Sequence, residues 1–250
     1  MFHLRSIKTH LILYLAVCAG ALAVRDRDGA FVLSLAIAVV SAVALETGIL
    51  YFKTKKVQFT ESSVITGLIT GFVLSSDELW WKCVFAAAAA ILSKYLIRLR
   101  GKHIFNPAAL GIFLSTVILG AGTQWKGTYL WYIVVPCGLY FAYALRKTGV
   151  VIGYALVSFL LFGTQALLQK VAPWHLFGYL SYFYIFVMVI EPKTSPAKKA
   201  EQYAFGAGIA ALIFILTAAG SRFDVELFSL LVMNAALPLS RVLTLKGGTT

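Results

Sequence analysis

The chain has 250 residues, of which 60% are hydrophobic and only 13% are charged, and its mean hydropathy is +0.85. A soluble domain carries charge on about a quarter of its residues, so this composition excludes a soluble protein and indicates an integral membrane protein. The net charge of +12 does not indicate a nucleic-acid partner, because the basic residues lie in short loops between apolar runs and form no basic stripe with interleaved aromatics.

Ten apolar segments follow one another along the chain, and several are shorter than the roughly 20 residues that cross a bilayer as a helix. We expect both termini to be cytoplasmic, because this topology places 16 of the 22 basic residues on the side of the N-terminus. The basic start of the chain lacks a convincing cleavage site, so the first segment is interpreted as a retained helix. The segments lie near 10–24, 30–52, 62–75, 79–97, 105–120, 128–145, 149–169, 176–191, 202–219 and 225–243.

Similar sequence elements recur in the two halves of the chain. Asn106 and Pro107 introduce Ala-Ala-Leu, and Asn234 is followed by Ala-Ala-Leu and Pro238. Ten crossings in two groups of five place the halves in opposite orientations, because an odd number of crossings inverts the second copy. The predicted fold is therefore an all-α membrane domain of two inverted five-helix repeats, residues 1–124 and 125–250.

The third and eighth segments are the short members of the two halves. In the third, Gly67 and Gly71 have small-xxx-small spacing and share a face with Thr66 and Thr70. That face is explained either by close helix packing or by the approach of a flat ligand. The eighth ends in a run with two prolines, 191–196, which excludes continued helix and leaves carbonyls that need partners.

The break between the fourth and fifth segments includes His103 and Phe105. Pro107 predicts that the next helix starts here, because proline removes a backbone donor and disfavours helix at the residue before it. Asn106 and Asn234 either hydrogen-bond to each other and hold the broken backbone together or face a flavin ring. His103 is expected to be an interfacial residue, and Phe105 is a less favoured candidate for stacking on a flavin.

Two carboxylates are candidates for an ion or proton site. Glu46 lies about two turns from the cytoplasmic end of the second segment, where a charge is costly unless it has a partner. The alternative is a locally paired carboxylate near Lys53. Glu191, beside Pro192, would either bind a cation with the unwound carbonyls or act as a structural cap.

The three cysteines, Cys18, Cys83 and Cys137, lie in separate apolar segments without C-x-x-C spacing. They exclude a disulfide framework and any iron–sulfur or zinc site built from this chain alone, and leave either inert buried thiols or one ligand to a cluster shared with another subunit. No nucleotide-binding loop or catalytic triad pattern is present, so no catalytic residue is assigned and any chemistry belongs to a cofactor or a partner.

Four runs of the chain, taken together, resemble the RnfD and NqrB family, the large membrane subunits of the Rnf and sodium-pumping NADH:quinone oxidoreductase complexes. The runs appear in family order and cover essentially the whole chain: 61–68, His103 to Ala108, 191–196, and Met233-Asn234 with Pro238. The resemblance implies two inverted five-helix repeats, as in urea and ammonium channels, and non-covalent riboflavin near the broken helices. The positions that match that site are Thr66, Gly67, Asn106, Pro107, Glu191, Thr194 and Ser195. Three further candidates, Thr70, Phe105 and Asn234, come from the sequence patterns described above and not from the resemblance.

Two departures from the family bear on function. The family carries a long insertion between the fifth and sixth helices with FMN attached to a threonine. Here that connection is only 121–127, and Gly120 stands three places before Thr123 where a hydroxyl residue is expected. The covalent flavin is therefore not expected. The Asp-Pro after the eighth helix of the family is Glu191-Pro192 here.

The leading hypothesis is a membrane subunit of a flavin-dependent electron-transfer complex in the cytoplasmic (inner) membrane, with riboflavin or FMN held non-covalently and electron flow coupled to Na⁺ or H⁺ movement. Its expected partners are other membrane subunits, flavin or iron–sulfur subunits, and the lipid bilayer. The alternative is a channel or transporter for a small solute or a flavin on the same fold.

Overall fold

The computed structural model describes residues 6–99, 101–172, 177 and 180–246, and these are mostly helical. A hairpin of two short strands, β1 (Arg98–Leu99) and β2 (Lys102–His103), precedes α5, and a π-helical segment (Tyr184–Val189) lies between α7 and α8. The α-helices within the described residues are α1 (Ile7–Asp26), α2 (Gly29–Thr54), α3 (Glu61–Val73), α4 (Trp80–Leu96), α5 (Pro107–Leu119), α6 (Trp131–Ala144), α7 (Thr148–Leu168), α8 (Lys199–Ala218) and α9 (Val225–Lys246).

Four of these helices, α1, α2, α7 and α8, are long and apolar enough to cross a membrane. Shorter apolar helices are α3, α5 and residues 225–238 of α9. The chain is therefore a multi-pass helical membrane protein, as its composition predicts. The ten crossings, the inverted halves and the division at residue 124 stay predictions.

Polar side chains set where the first three helices begin. Ser6, Asp28 and Thr60 are the N-caps of α1, α2 and α3, and their side chains accept hydrogen bonds from backbone N–H groups of the first turn. Arg27 and Lys55 end α1 and α2 in the left-handed conformation. Hydrogen bonds of nearby residues therefore set where the connections between α1, α2 and α3 begin and end.

The chain divides into two compact units, each described by itself. The first contains residues 1–98 and 107–133. In it α3 lies directly against α2: a Cβ on Gly67 would be 2.5 Å from Cα of Val39, and one on Gly71 would be 2.7 Å from Cα of Leu35. The small-xxx-small face of α3 thus serves helix packing, as the first of the two alternatives predicts.

The second unit contains residues 99–106 and 134–250. Its centre is the π-helical segment, in which every residue from Tyr184 to Val189 is buried. Phe186 fills the space beside Gly138 of α6, and Gly206 of α8 lies against the backbone of Val150 in α7. Small residues again allow the close approach of neighbouring backbones.

Two prolines test the predicted breaks. Pro107 is the first residue of α5, which confirms the predicted helix start. Pro238 lies inside α9, which continues to Lys246, and the predicted tenth segment, 225–243, likewise runs past this proline. Asn106 therefore precedes a helix, whereas Asn234 lies within one. Part of the predicted eighth segment, residues 176, 178 and 179, lies outside the described residues.

Candidate functional site

A frame of buried amides joins three stretches of the second unit. The backbone N–H of Asn106 donates to Oδ1 of Asn234 at 2.9 Å, and Nδ2 of Asn106 donates to the carbonyl of Met188 at 3.1 Å. Nδ2 of Asn234 donates to the carbonyl of Thr194 at 3.2 Å. Asn106 and Asn234 are only 2% and 1% exposed, so unpaired polar groups here would be costly. The bonds agree with the first of the two interpretations of these asparagines, in which they hold the broken backbone together. Contact of either asparagine with a flavin stays a prediction.

Glu191 closes the turn that follows the π-helical segment. Its carbonyl accepts from the backbone N–H of Thr194 and Ser195 and from Oγ of Ser195, the last at 2.6 Å. Its carboxylate accepts from Oγ1 of Thr194 at 3.1 Å and lies 3.3 Å from Nε2 of His103. Glu191 thus has the geometry of the structural-cap alternative.

His103 is buried, with 8% of its surface exposed, and faces Glu191. The β1–β2 hairpin turns this side chain inward while Lys102 stays exposed, and a position of His103 at the membrane interface stays a prediction. Alternation of side chains along a strand is the physical reason.

Lys147, counted above only among the topology-setting residues, is a structural member of this frame. It is buried at the start of α7, and its ammonium donates to the carbonyls of Ser195 at 3.1 Å and Pro196 at 2.7 Å. The carbonyls left free by the two prolines thereby obtain a donor. A lysine between two apolar segments is ordinarily interpreted as a charged loop residue outside the membrane. The sequence analysis therefore missed the role of Lys147 as a donor to these carbonyls.

A second polar cluster lies in the first unit around Glu46 of α2. Oε2 of Glu46 accepts from the ammonium of Lys94 at 3.1 Å and from Oγ1 of Thr60 at 3.0 Å, and Oε1 accepts from the hydroxyl of Tyr95 at 3.1 Å. The same ammonium donates to Oγ and the carbonyl of Ser62 in α3. Lys94 therefore ties together α2, α4 and the start of α3.

Glu46 is paired, as one of its two interpretations expects, but its partner is Lys94 and not the nearby Lys53. The ammonium of Lys53 lies over the ring of Tyr95, 4.4 Å from the centroid, and is exposed. Glu46 and Lys94 are both buried, so their ion pair lacks the solvent screening of a surface pair. Glu46 lies about two turns before the end of α2 at Thr54, and its depth from the cytoplasmic side stays a prediction.

The remaining predicted flavin contacts differ in how accessible they are. Thr66 and Thr70 are buried and donate to carbonyls of their own helix, those of Ser62 and Thr66. Pro107 is buried, whereas Phe105 is half-buried. Among the ten predicted positions, Phe105 and Glu191 are the two that keep appreciable exposed surface.

The short connection between α5 and α6 is an ordered part of the first unit. Its Gln124 donates from the backbone to the carbonyl of Val73 at 2.7 Å and from Nε2 to that of Leu74 at 2.8 Å, while Thr123 forms a bridge with Leu74. The connection thereby satisfies the carbonyls at the end of α3. Nearby, Lys82 and the backbone N–H of Gly122 hold the pKa of Glu78 below its ordinary value.

Within the described part of the chain, no group of three or more acidic, histidine or cysteine residues is arranged to hold a metal ion. Cys18 and Cys83 are buried, Cys137 is half-buried, and all three are free thiols. A resident metal site is therefore not assigned to the described residues.

Several long apolar helices define a multi-pass membrane protein. The sequence matches the NQR2, RnfD, RnfE family over residues 3–133 and 139–246. The chain belongs to this family, which confirms the predicted resemblance and supports a membrane subunit of an Rnf/Nqr-type complex. A search of curated proteins finds no significant match.

Proposed function

We propose that this protein is a membrane subunit of an Rnf/Nqr-type electron-transfer complex, with riboflavin or FMN held non-covalently and electron flow coupled to Na⁺ or H⁺ movement. The family match over nearly the whole chain is the observation that carries the proposal. The protein would lie in the cytoplasmic membrane with both termini on the cytoplasmic side, and flavin or iron–sulfur subunits would supply its electrons.

The proposed flavin site is the edge of the Asn106–Asn234 frame. The amides of the frame are bonded to backbone groups, so their role in this proposal is to fix the wall of the site. Phe105 offers a ring for stacking and Glu191 an acceptor, and both retain exposed surface. A bound flavin would supply one- and two-electron chemistry, which no side chain of the chain provides.

An anchored FMN is not part of this proposal. Thr123, the one threonine in the short connection, is tied by its backbone to Leu74, and the connection itself caps α3. An FMN attached to Thr123 would have to leave the hydrogen bonds between this connection and the end of α3 in place.

Ion coupling at Glu46 would use a proton rather than Na⁺. Both oxygens of Glu46 already accept hydrogen bonds, and the ammonium of Lys94 lies where a metal cation would bind. A proton can be exchanged within such a pair without adding a ligand.

The test is the absorption spectrum of the purified protein in detergent. Flavin absorbance that passes to the supernatant after acid precipitation supports a non-covalent flavin, whereas absorbance that stays with the protein contradicts that form of binding. Phe105→Ala should lower the retained flavin, and Phe52→Ala, an exposed phenylalanine of the first unit, is the matched control. A colourless protein that conducts a solute in liposomes would favour the channel alternative.

A further inference from the structure

The end of α2 and the connection that follows it form a concentrated positive charge. Lys53, Lys55 and Lys56 lie here, and residues 47–60 contain no aspartate or glutamate. All three lysines are exposed, and none of the ion pairs among the described residues includes them. The charge of this turn is therefore available to a negatively charged group from outside the chain.

The length of α2 places this turn at a membrane surface. The helix has 26 residues and is therefore about 39 Å long, whereas the hydrocarbon core of a bilayer is about 30 Å thick. Its apolar run ends at Tyr51 and Phe52, which are both exposed, as aromatic residues at a membrane interface are. The lysines that follow them therefore reach the level of the lipid headgroups.

The connection then runs back along α2 towards the apolar region. Oγ1 of Thr60 donates to Oε2 of Glu46 at 3.0 Å, and Glu46 lies about 12 Å along the helix before Thr54. The chain therefore descends by about two helical turns before α3 begins. Val57 and Phe59 lie on this descent and are 64% and 72% exposed. Their exposed apolar side chains are placed to contact acyl chains just below the charged turn.

Hydrogen bonds within the chain hold the turn in shape. Lys55 has the left-handed conformation and its backbone N–H donates to the carbonyl of Tyr51 at 2.8 Å, while the backbone N–H of Lys56 donates to Oγ1 of Thr54 at 3.3 Å. The ammonium of Lys53 already lies over an aromatic ring of α4. Lys55 and Lys56 are the two whose ammonium groups make no ion pair or cation–π contact within the described residues.

We propose that this turn binds an anionic phospholipid, with the ammonium groups of Lys55 and Lys56 on its phosphate and with Val57 and Phe59 against its acyl chains. A juxtamembrane cluster of lysines attracts anionic headgroups. The exposed apolar residues beside the lysines favour a lipid over a soluble acidic protein, because a lipid satisfies both the charge and the apolar surface. The inference goes beyond the proposed function and depends on neither a flavin nor a redox partner.

Native mass spectrometry of the full chain in detergent, titrated with phosphatidylglycerol, tests the proposal. Phosphatidylcholine with the same acyl chains is the neutral comparison and should bind more weakly. Lys55→Gln and Lys56→Gln should each lower the affinity for phosphatidylglycerol by about fivefold, and the double variant by about 25-fold. Inorganic phosphate should not displace the lipid, because it lacks acyl chains.

The double variant Arg25→Gln/Arg27→Gln is the matched control. It removes the same amount of positive charge at the end of α1, where Asp26 and Asp28 alternate with the arginines, and should leave the affinity for phosphatidylglycerol unchanged. Melting temperatures in detergent alone show whether both double variants fold as the unmodified protein does.

Three outcomes would overturn the proposal. The first is an affinity for phosphatidylglycerol that Lys55→Gln/Lys56→Gln leaves unchanged or lowers no more than the arginine control does. The second is displacement of the lipid by inorganic phosphate, which would show a simple anion site. The third is loss of an acidic protein subunit from the isolated complex of the lysine variant with lipid affinity unchanged, which would assign the surface to a protein.

Discussion

The backbone N–H of Asn106 donates to the side-chain oxygen of Asn234, 128 residues further along the chain, at 2.9 Å. This bond satisfies a donor that has no partner within α5, because Asn106 precedes the first helical residue. Nδ2 of the same Asn234 amide donates to the carbonyl of Thr194. One side chain thus holds both Asn106 and the proline-containing turn after the π-helical segment.

Asn234→Ala should lower the free energy of unfolding by about 2 to 4 kcal/mol, because it leaves a buried N–H and a buried carbonyl unpaired at about 1 to 3 kcal/mol each. Denaturant unfolding in detergent measures this. Asn106→Ala is the matched control, since it removes one donor and leaves the bond from the Asn106 backbone in place. A smaller loss for Asn234→Ala than for Asn106→Ala would contradict the central place of Asn234.

The pair of Glu46 and Lys94 predicts a non-additive response. Glu46→Leu or Lys94→Met alone should cost about 3 to 5 kcal/mol, because each leaves a buried charge without its partner, and the double variant Glu46→Leu/Lys94→Met should recover most of the loss. Thermal unfolding of the four proteins forms the cycle. Lys53→Met is the control and should change stability by no more than about 0.5 kcal/mol. Equal effects of Lys53→Met and Lys94→Met would show that the pair is misassigned.

Gly67→Ala should destabilise the first unit, because the added methyl group would lie 2.5 Å from Cα of Val39, and backbone cannot move aside as a flexible side chain can. Gly48→Ala in α2 meets nothing within 4 Å, and removal of a helical glycine there should stabilise by about 0.5 to 1 kcal/mol. Melting temperatures of the two variants should therefore move in opposite directions. Similar shifts of one sign would contradict the close packing of α3 on α2.

Acidification should weaken the first unit through Glu78. Its folded-state pKa is lowered, first by the hydrogen bond from Lys82, so its contribution is fully present above the unfolded value of about 4.3 and is lost as the pH falls through the folded value. Glu78→Gln should remove this part of the acid dependence, about 1 kcal/mol or less for a partly exposed pair. Asp77→Asn, an exposed neighbour, is the control for the change of charge. An unchanged acid profile of Glu78→Gln would argue against the pair with Lys82.

The membrane class and most helix positions follow from the sequence because apolar runs and caps act locally. Pro107 sets the start of α5 for the same reason. A proline alone does not fix a helix end, however: α9 continues through Pro238 to Lys246.

Polar partners within the bundle were harder to predict because they depend on contacts between distant segments. Lys94 and Lys147 look like topology-setting charges in the sequence, yet both are buried and hold turns and helix starts. Lys53 is nearer to Glu46 in sequence than Lys94 is, but it extends from the exposed end of α2. A lysine within an apolar run, such as Lys94, is the signal that could have indicated the pair.

The most direct test of the proposed role is isolation of the tagged protein from its own membranes under mild conditions, followed by mass spectrometry and a reduction assay. We predict that flavin or iron–sulfur subunits accompany it and that a flavin in the isolated assembly is bleached by a low-potential donor such as NADH or reduced ferredoxin. A protein that is recovered without redox subunits and without a reducible flavin would contradict the proposed role in electron transfer.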